Sequence, residues 1–143
     1  MTLEPLGPEH EDGLHAAAAD EQVWRWMITR DVDAWIGDAL SDNPDRQPFA
    51  VVHGGEVIGS TSYMSLAPEH RRLEIGNTWL ASSAWGTGAN TEAKYLLLRH
   101  AFDDVGALRV EFKTGDNPFK GKKNVLTGRQ VKKRKRMIER SRR

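Results

Sequence analysis

The sequence predicts an α+β fold, a mostly antiparallel sheet with flanking helices and one long helix entered through a glycine loop. Three observations carry this expectation. Two strand-like runs meet at Gly54-Gly55, a strictly alternating run follows over residues 72–80, and a helical periodicity begins after Gly86-x-Gly88 and stops at Gly106. A length of 143 residues suits one compact core.

Taken in order, residues 2–6 read as a short opening strand. Pro8 suits a first helical position, and Glu9 and Glu11 favour a helix start running through Ala19. Trp24, Met27 and Ile28 recur at helical spacing and predict a second short helix. A third covers 31–40, with Val32, Trp35, Ile36 and Ala39 on its buried side, before Asp42-Asn43-Pro44-Asp45 breaks the chain. The period then changes to two. Residues 49–53 and 56–64 flank Gly54-Gly55, whose positive φ angles suit a tight hairpin. Along 72–80, alternation places Leu73, Ile75 and Trp79 on one face and Glu74, Gly76 and Thr78 on the other. Over 90–105, Ala93, Leu97 and Ala101 form a stripe extended by Leu98, Phe102 and Val105, with Gly106 as the C-terminal cap. Leu108, Val110 and Phe112 alternate with Arg109, Glu111 and Lys113 as a fifth strand.

Charge divides the chain. Residues 1–114 hold 9 Lys+Arg against 18 Asp+Glu, whereas residues 115–143 hold 12 against 2. An acidic folded body, 1–114, joined to a basic tail, 115–143, is the expected organisation. The absence of cysteine excludes disulfides, thiolate metal sites and a cysteine nucleophile, and fits a reducing cytosol. The start has no basic segment followed by an apolar stretch, and no apolar run approaches the roughly 20 residues of a membrane span, so a soluble cytoplasmic protein is expected. His10, His15, His70 and His100 lack metal-ligand spacing, so no metal is implied.

The stretch that carries chemistry is a strand, Glu74-Ile75-Gly76-Asn77-Thr78-Trp79-Leu80, followed by a loop and helix start, Trp85-Gly86-Thr87-Gly88-Ala89-Asn90-Thr91-Glu92-Ala93. Backbone N–H groups at a helix start lack internal partners and can converge on a phosphate, aided by the helix dipole. Glycines let the main chain approach such an anion closely. A nucleotide P-loop fits poorly, because Gly88 is followed by Ala89-Asn90 rather than Lys-Ser/Thr. A dinucleotide fingerprint lacks its third glycine and its parallel βαβ context.

These residues resemble the acetyl-CoA-binding segment of RimJ/RimL-type GNAT N-acetyltransferases, as do the continuations Lys94-Tyr95-Leu96-Leu97-Leu98-Arg99-His100-Ala101-Phe102 and Arg109-Val110-Glu111-Phe112-Lys113-Thr114. The likeness covers 1–114 in element order and is close from about 72 to 114. Ser83 stands where the family's loop often opens with Gln or Arg. The resemblance implies transfer of an acetyl group from acetyl-CoA to a primary amine, a protein N-terminus or a small molecule, by direct attack. It implies that the pantetheine arm pairs along Trp79 and Leu80, with a backbone N–H there facing the thioester oxygen. It further implies that Trp85, Gly86, Thr87, Gly88, Ala89, Asn90 and Thr91 cradle the diphosphate. The thioester would point to a gap between the strands at 72–80 and 107–114.

The attacking amine must lose a proton, and Glu74, on the strand beside the thioester, is the first candidate base. The competing reading makes it a solvated carboxylate or a partner of Arg71 or Arg72. Trp24 and Trp26 lie where the family builds its acceptor pocket, whereas Trp35 reads as core. His53 and Tyr63 read as turn and packing residues.

After Thr114 the pattern stops. The family continues with an asparagine segment, another helix, two more strands and often a tyrosine that protonates the departing thiolate. Asn117 falls within one position of the family's asparagine, and no tyrosine follows Tyr95. A GNAT-like fold incomplete at its C-terminus is therefore expected, with the 107–114 strand exposed as an edge through which a homodimer would form. Residues 115–143 read as a solvated extension, disordered or helical from 128 onward. The alternative is a catalytically inactive remnant whose basic run, Lys132-Lys133-Arg134-Lys135-Arg136, binds nucleic acid or an acidic partner.

Overall fold

The computed structural model describes residues 1–25, 27, 31–117 and 120–127, with side chains placed as far as Phe112. Six strands form one sheet in sequential order: β1 (Thr2–Pro5), β2 (Gln47–His53), β3 (Glu56–Ala67), β4 (Arg72–Leu80), β5 (Arg109–Asn117) and β6 (Lys120–Thr127). Helices α1 (Glu11–Ala17) and α2 (Val32–Leu40) precede β2, and α3 (Ala89–Arg99) connects β4 to β5. Neighbours are antiparallel except β4 and β5, which run parallel from Arg72 opposite Arg109 to Ile75 opposite Phe112. Parallel neighbours require a crossover, and α3 supplies it.

Local chemistry explains most boundaries. Asp31 caps α2, its carboxylate accepting the Ala34 N–H at 3.1 Å. Gly54 and Gly55 have φ of 59° and 79°, the pair of left-handed residues that a two-residue hairpin turn needs. The helix expected through Ala19 stops at Ala17, and the one expected at Trp24–Ile28 is a single 3-10 turn over Glu21–Trp24; Ile28 lies outside the described residues. α3 does not run uniformly to Val105. Over His100–Asp104 it widens into a π turn, with Val105 N–H donating to the His100 carbonyl at 2.9 Å, before Gly106 ends it at φ 80°.

The sheet carries a core on each face. Leu14, Trp24, Trp35, Ile36 and Ala39 pack between the sheet and α1–α2. Tyr63, Leu73, Ile75, Leu97, Ala101 and Val110 pack beneath α3. The Tyr63 hydroxyl donates to the Leu97 carbonyl, and burial, with the charge of Asp104, pushes the phenol well above its ordinary range.

Two expectations about the C-terminal region need correction. The segment after Thr114 is not simply a disordered or helical extension: β5 continues to Asn117, and Lys120–Thr127 forms β6, paired with β5 from Arg109–Thr127 to Asn117–Lys120. A boundary after Thr114 thus falls inside a strand. The exposed β5 edge, on which the homodimer expectation rested, is occupied by β6. The sequence hides β6 because the run Lys120-Gly121-Lys122-Lys123-Asn124 carries no hydrophobic alternation. Residues from 128 onward, with the basic run 132–136, lie outside the described residues.

Candidate active site

The site begins with an irregularity in β4. Ser60 faces Trp79 and Ser62 faces Gly76, so the single residue Thr61 spans two residues of β4, Asn77 and Thr78. This is a β-bulge, and Asn77 takes its left-handed corner at φ 52°. The indole N–H of Trp35 donates to the Asn77 side-chain oxygen at 3.3 Å and holds it there.

The extra residue switches the alternation. Before it, Leu73 and Ile75 face α3; after it, Trp79 faces the opposite core, packing against Trp24 and Trp35 with ring centroids 5.1 and 5.5 Å away. The expected common face of Leu73, Ile75 and Trp79 is therefore wrong for Trp79. Thr78 and Leu80 instead turn toward α3. The bulge also leaves β4 free of β5, since their pairing stops at Ile75–Phe112.

Between the bulge and α3 the chain makes a 3-10 turn, Ser82–Ala84, then passes Gly86 and Gly88 at φ 71° and 84°. Thr87 braces this loop: its hydroxyl donates to the Ala84 carbonyl at 2.6 Å and accepts the Ala89 N–H at 3.3 Å. The Trp85 indole N–H reaches back to the Leu80 carbonyl at 3.0 Å, leaving the ring 49% exposed over the loop. Gly88, at the helix N-cap, makes no side-chain capping bond, and at the start of α3 it is Thr87 that takes up the Ala89 N–H.

A cleft of about 390 Å³ opens at this junction, lined by Val23, Met27, Thr78, Trp79, Leu80, Trp85, Asn90 and Lys94. Of the expected cradle, Trp79, Leu80, Trp85 and Asn90 converge on the cleft. Gly86, Thr87, Gly88 and Thr91 lie exposed around the same loop, and Ala89 is turned into the core against Val51 and Ala93. The Trp79 indole N–H is buried without a hydrogen-bond partner among the described residues.

Lys94 is the residue that sequence reasoning missed. Its ammonium donates to the Thr78 hydroxyl at 2.7 Å, which also meets the Thr61 hydroxyl at 2.8 Å, and it stands 5.9 Å from the centre of the Phe112 ring. Burial lowers its pKa from 10.5 to about 8. One signal was present: Lys94 is four residues after Asn90, hence on the same helical face.

Glu74 lies on the face away from α3 and is only 6% exposed, which removes the solvated-carboxylate reading. Ser65 donates its hydroxyl to Glu74 Oε2 at 3.3 Å. Across the parallel pairing stands Glu111, also buried, in an ion pair with Arg109 at 3.1 Å. Trp24, expected in an acceptor pocket, is 4% exposed and spends its indole N–H on the Ala18 carbonyl at 3.0 Å. It belongs chiefly to the tryptophan core, although it also borders a cavity of about 470 Å³ with Glu21, Gln22 and Arg25. Trp26 lies outside the described residues, and Asn117 is described only as the last backbone position of β5, opposite Lys120. Tyr63 is a packing residue as expected, and His53 is an exposed residue at the hairpin turn.

Residues 1–117 match the family model described as the acetyltransferase (GNAT) domain. Among solved structures, a GCN5-related N-acetyltransferase from Brucella melitensis is 31% identical with a TM-score of 0.70, covering 80% of this chain and 57% of its own. An acetyltransferase-class protein from T. thermophilus is 39% identical with a TM-score of 0.64, covering 78% of this chain and 61% of its own. The chain thus spans about six-tenths of the length of these relatives. A different similarity is to GTPase Der: 33 residues are 70% identical to that of Alcanivorax borkumensis, 23% of this chain and 7% of that protein, and 128 residues are 40% identical to that of Erwinia tasmaniensis, 87% of this chain and 19% of that protein. These matches cover less than a quarter of either GTPase, so that protein's activity is not carried over to this chain.

Proposed function

Because the chain belongs to the GNAT acetyltransferase family, we propose that this enzyme moves an acetyl group from acetyl-CoA to a primary amine in the manner of the RimJ/RimL branch. The observation that carries the proposal is the cleft formed where bulged β4 leaves β5 and α3 begins.

The residues present suit the donor. Gly86 and Gly88 hold positive φ, and a Cβ built at either would meet nothing within 4 Å, so their backbone is open to a bulky anion. Amides of residues 86–91 would take the diphosphate, and Trp79 and Leu80 would line the pantetheine arm. The bound donor supplies an activated thioester; the chain's task is to hold it, exclude water and manage the amine's proton. Glu74 would accept that proton, its carboxylate being oriented by Ser65. The acceptor is a primary amine, of a protein N-terminus or a small molecule. Similarity of Glu74-Ile75-Gly76 and of Trp85-Gly86-x-Gly88-x-x-Thr91-Glu92-Ala93 supports the RimJ/RimL assignment. The cysteine-free composition suits a cytosolic setting, and among the described residues no helix is long and apolar enough to cross a membrane.

The test is thermal unfolding with acetyl-CoA, with CoA alone as a second ligand. At about 100 times the dissociation constant a ligand adds about 2.7 kcal/mol to stability. A rise in melting temperature with both is expected. A transition indifferent to both would refute donor binding.

A further inference from the structure

The cleft contains one ionisable side chain among its described lining residues, Lys94. It enters from α3 and fills the wedge where β4 and β5 part, with Thr78 on one side and the Phe112 ring on the other. Its position is fixed by more than one contact, since Thr78 is itself held by the Thr61 hydroxyl at 2.8 Å. Anything bound deep in the wedge must lie against it. Resting on the reading that this cleft holds acetyl-CoA, we infer that Lys94 is itself an acetyl acceptor, a self-modification site whose product closes the cleft.

The chemistry needs the neutral amine. With burial lowering the pKa to about 8, about one Lys94 in ten is uncharged at pH 7, against about one in three thousand for a solvated lysine. The hydrogen bond to Thr78 uses an N–H of Lys94 and leaves the nitrogen lone pair available. That lone pair forms a C–N bond to the acetyl carbon. The C–S bond breaks with its electron pair on sulfur, and the proton shed by nitrogen ends on the thiolate, so CoA leaves as the thiol. No oxidant, reductant or metal enters the balance. The resulting amide has no charge and is larger by an acetyl group, which must occupy the space between Thr78 and Phe112. The modified chain should therefore bind the donor poorly.

The experiment follows the full chain during incubation with acetyl-CoA, using peptide mass analysis to read acetylation at each lysine over time. The melting temperature is measured in parallel with acetyl-CoA, with CoA, and for the Lys94→Gln variant as a mimic of the product. The expected result is acetylation of Lys94 roughly tenfold or more faster than of any other lysine, saturating with donor concentration and suppressed by excess CoA. Modified protein and Lys94→Gln should both lose the ligand-induced rise in melting temperature. A ligand-induced rise with Lys94 unmodified, or modified no faster than the tail lysines, overturns the inference and leaves the donor-binding reading intact. No rise with either ligand overturns both.

Discussion

Replacing Gly59 with alanine should disable the site from a distance. Gly59 lies on β3 opposite Leu80, at φ 157°, and a Cβ there would sit 2.2 Å from the Trp79 carbonyl oxygen and 2.8 Å from Leu80 Cα. Both atoms belong to the backbone, so no side chain can turn aside to make room. Real Cβ contacts essentially never fall below 3.0 Å, and the two strands would have to separate by most of an ångström. Overpacking costs about 1–3 kcal/mol, and a disfavoured φ adds about 1–3 kcal/mol. A total of roughly 3–5 kcal/mol would lower the melting temperature of a chain this size by roughly 10–20 °C. Gly86→Ala is the control: its Cβ meets nothing within 4 Å, so only the strain of φ 71° remains, about 1–2 kcal/mol. Calorimetry on the two variants reads the difference directly. Gly59→Ala melting within a few degrees of the parent would refute the close approach of β3 to the end of β4.

Other perturbations separate the roles assigned above. Glu74→Gln should lower the rate of CoA thiol release about 100-fold or more, while acetyl-CoA still raises the melting temperature; the cysteine-free chain gives no thiol background. Lys94→Met should stabilise the fold near neutrality. The amine titrates at about 8 when folded and at 10.5 when unfolded, so the unfolded chain binds more protons between those values and stability rises with pH across that window. Below about 8 the burial penalty is fully present, and the methionine variant should raise the melting temperature there and flatten the rise above it. Trp24→Phe should cost about 1–2 kcal/mol more in urea unfolding than Trp79→Phe. The first strands the buried Ala18 carbonyl, whereas the Trp79 N–H has no partner among the described residues to lose.

The elements legible in the sequence are those whose signals are local. Gly54-Gly55 announces the β2–β3 hairpin because only glycine adopts two successive left-handed residues without strain, and Gly106 marks the helix end for the same reason. Asp31 and the spacing of Trp35, Ile36 and Ala39 place α2 to within a residue. What stayed hidden depends on partners remote in sequence. The bulge at Asn77 exists only relative to Thr61 on the neighbouring strand, and nothing in the run 72–80 separates it from regular alternation. Lys94 is an ordinary helical lysine by composition; its burial comes from the parting of β4 and β5, which helical periodicity cannot report. Trp24 suits a pocket as well as a core on sequence alone, because indoles serve both, and here the packing against Trp35 and Trp79 decides.

The bulge also sets a tolerance that no single side chain controls. Deleting Asn77 would leave Gly76, Thr78, Trp79 and Leu80 in regular alternation on the sides they already occupy, but would remove the left-handed corner of β4. Trp79 would stay in the tryptophan core and Thr78 beside Lys94, while the Trp35 indole N–H would lose its acceptor. Composition would change by one asparagine and the core faces would be kept, yet the corner where β4 leaves β5, on which the donor cleft depends, would be lost. For this part of the chain, residue count is a stricter constraint than residue type. Insertions and deletions should therefore be far scarcer between Gly76 and Leu80 than substitutions.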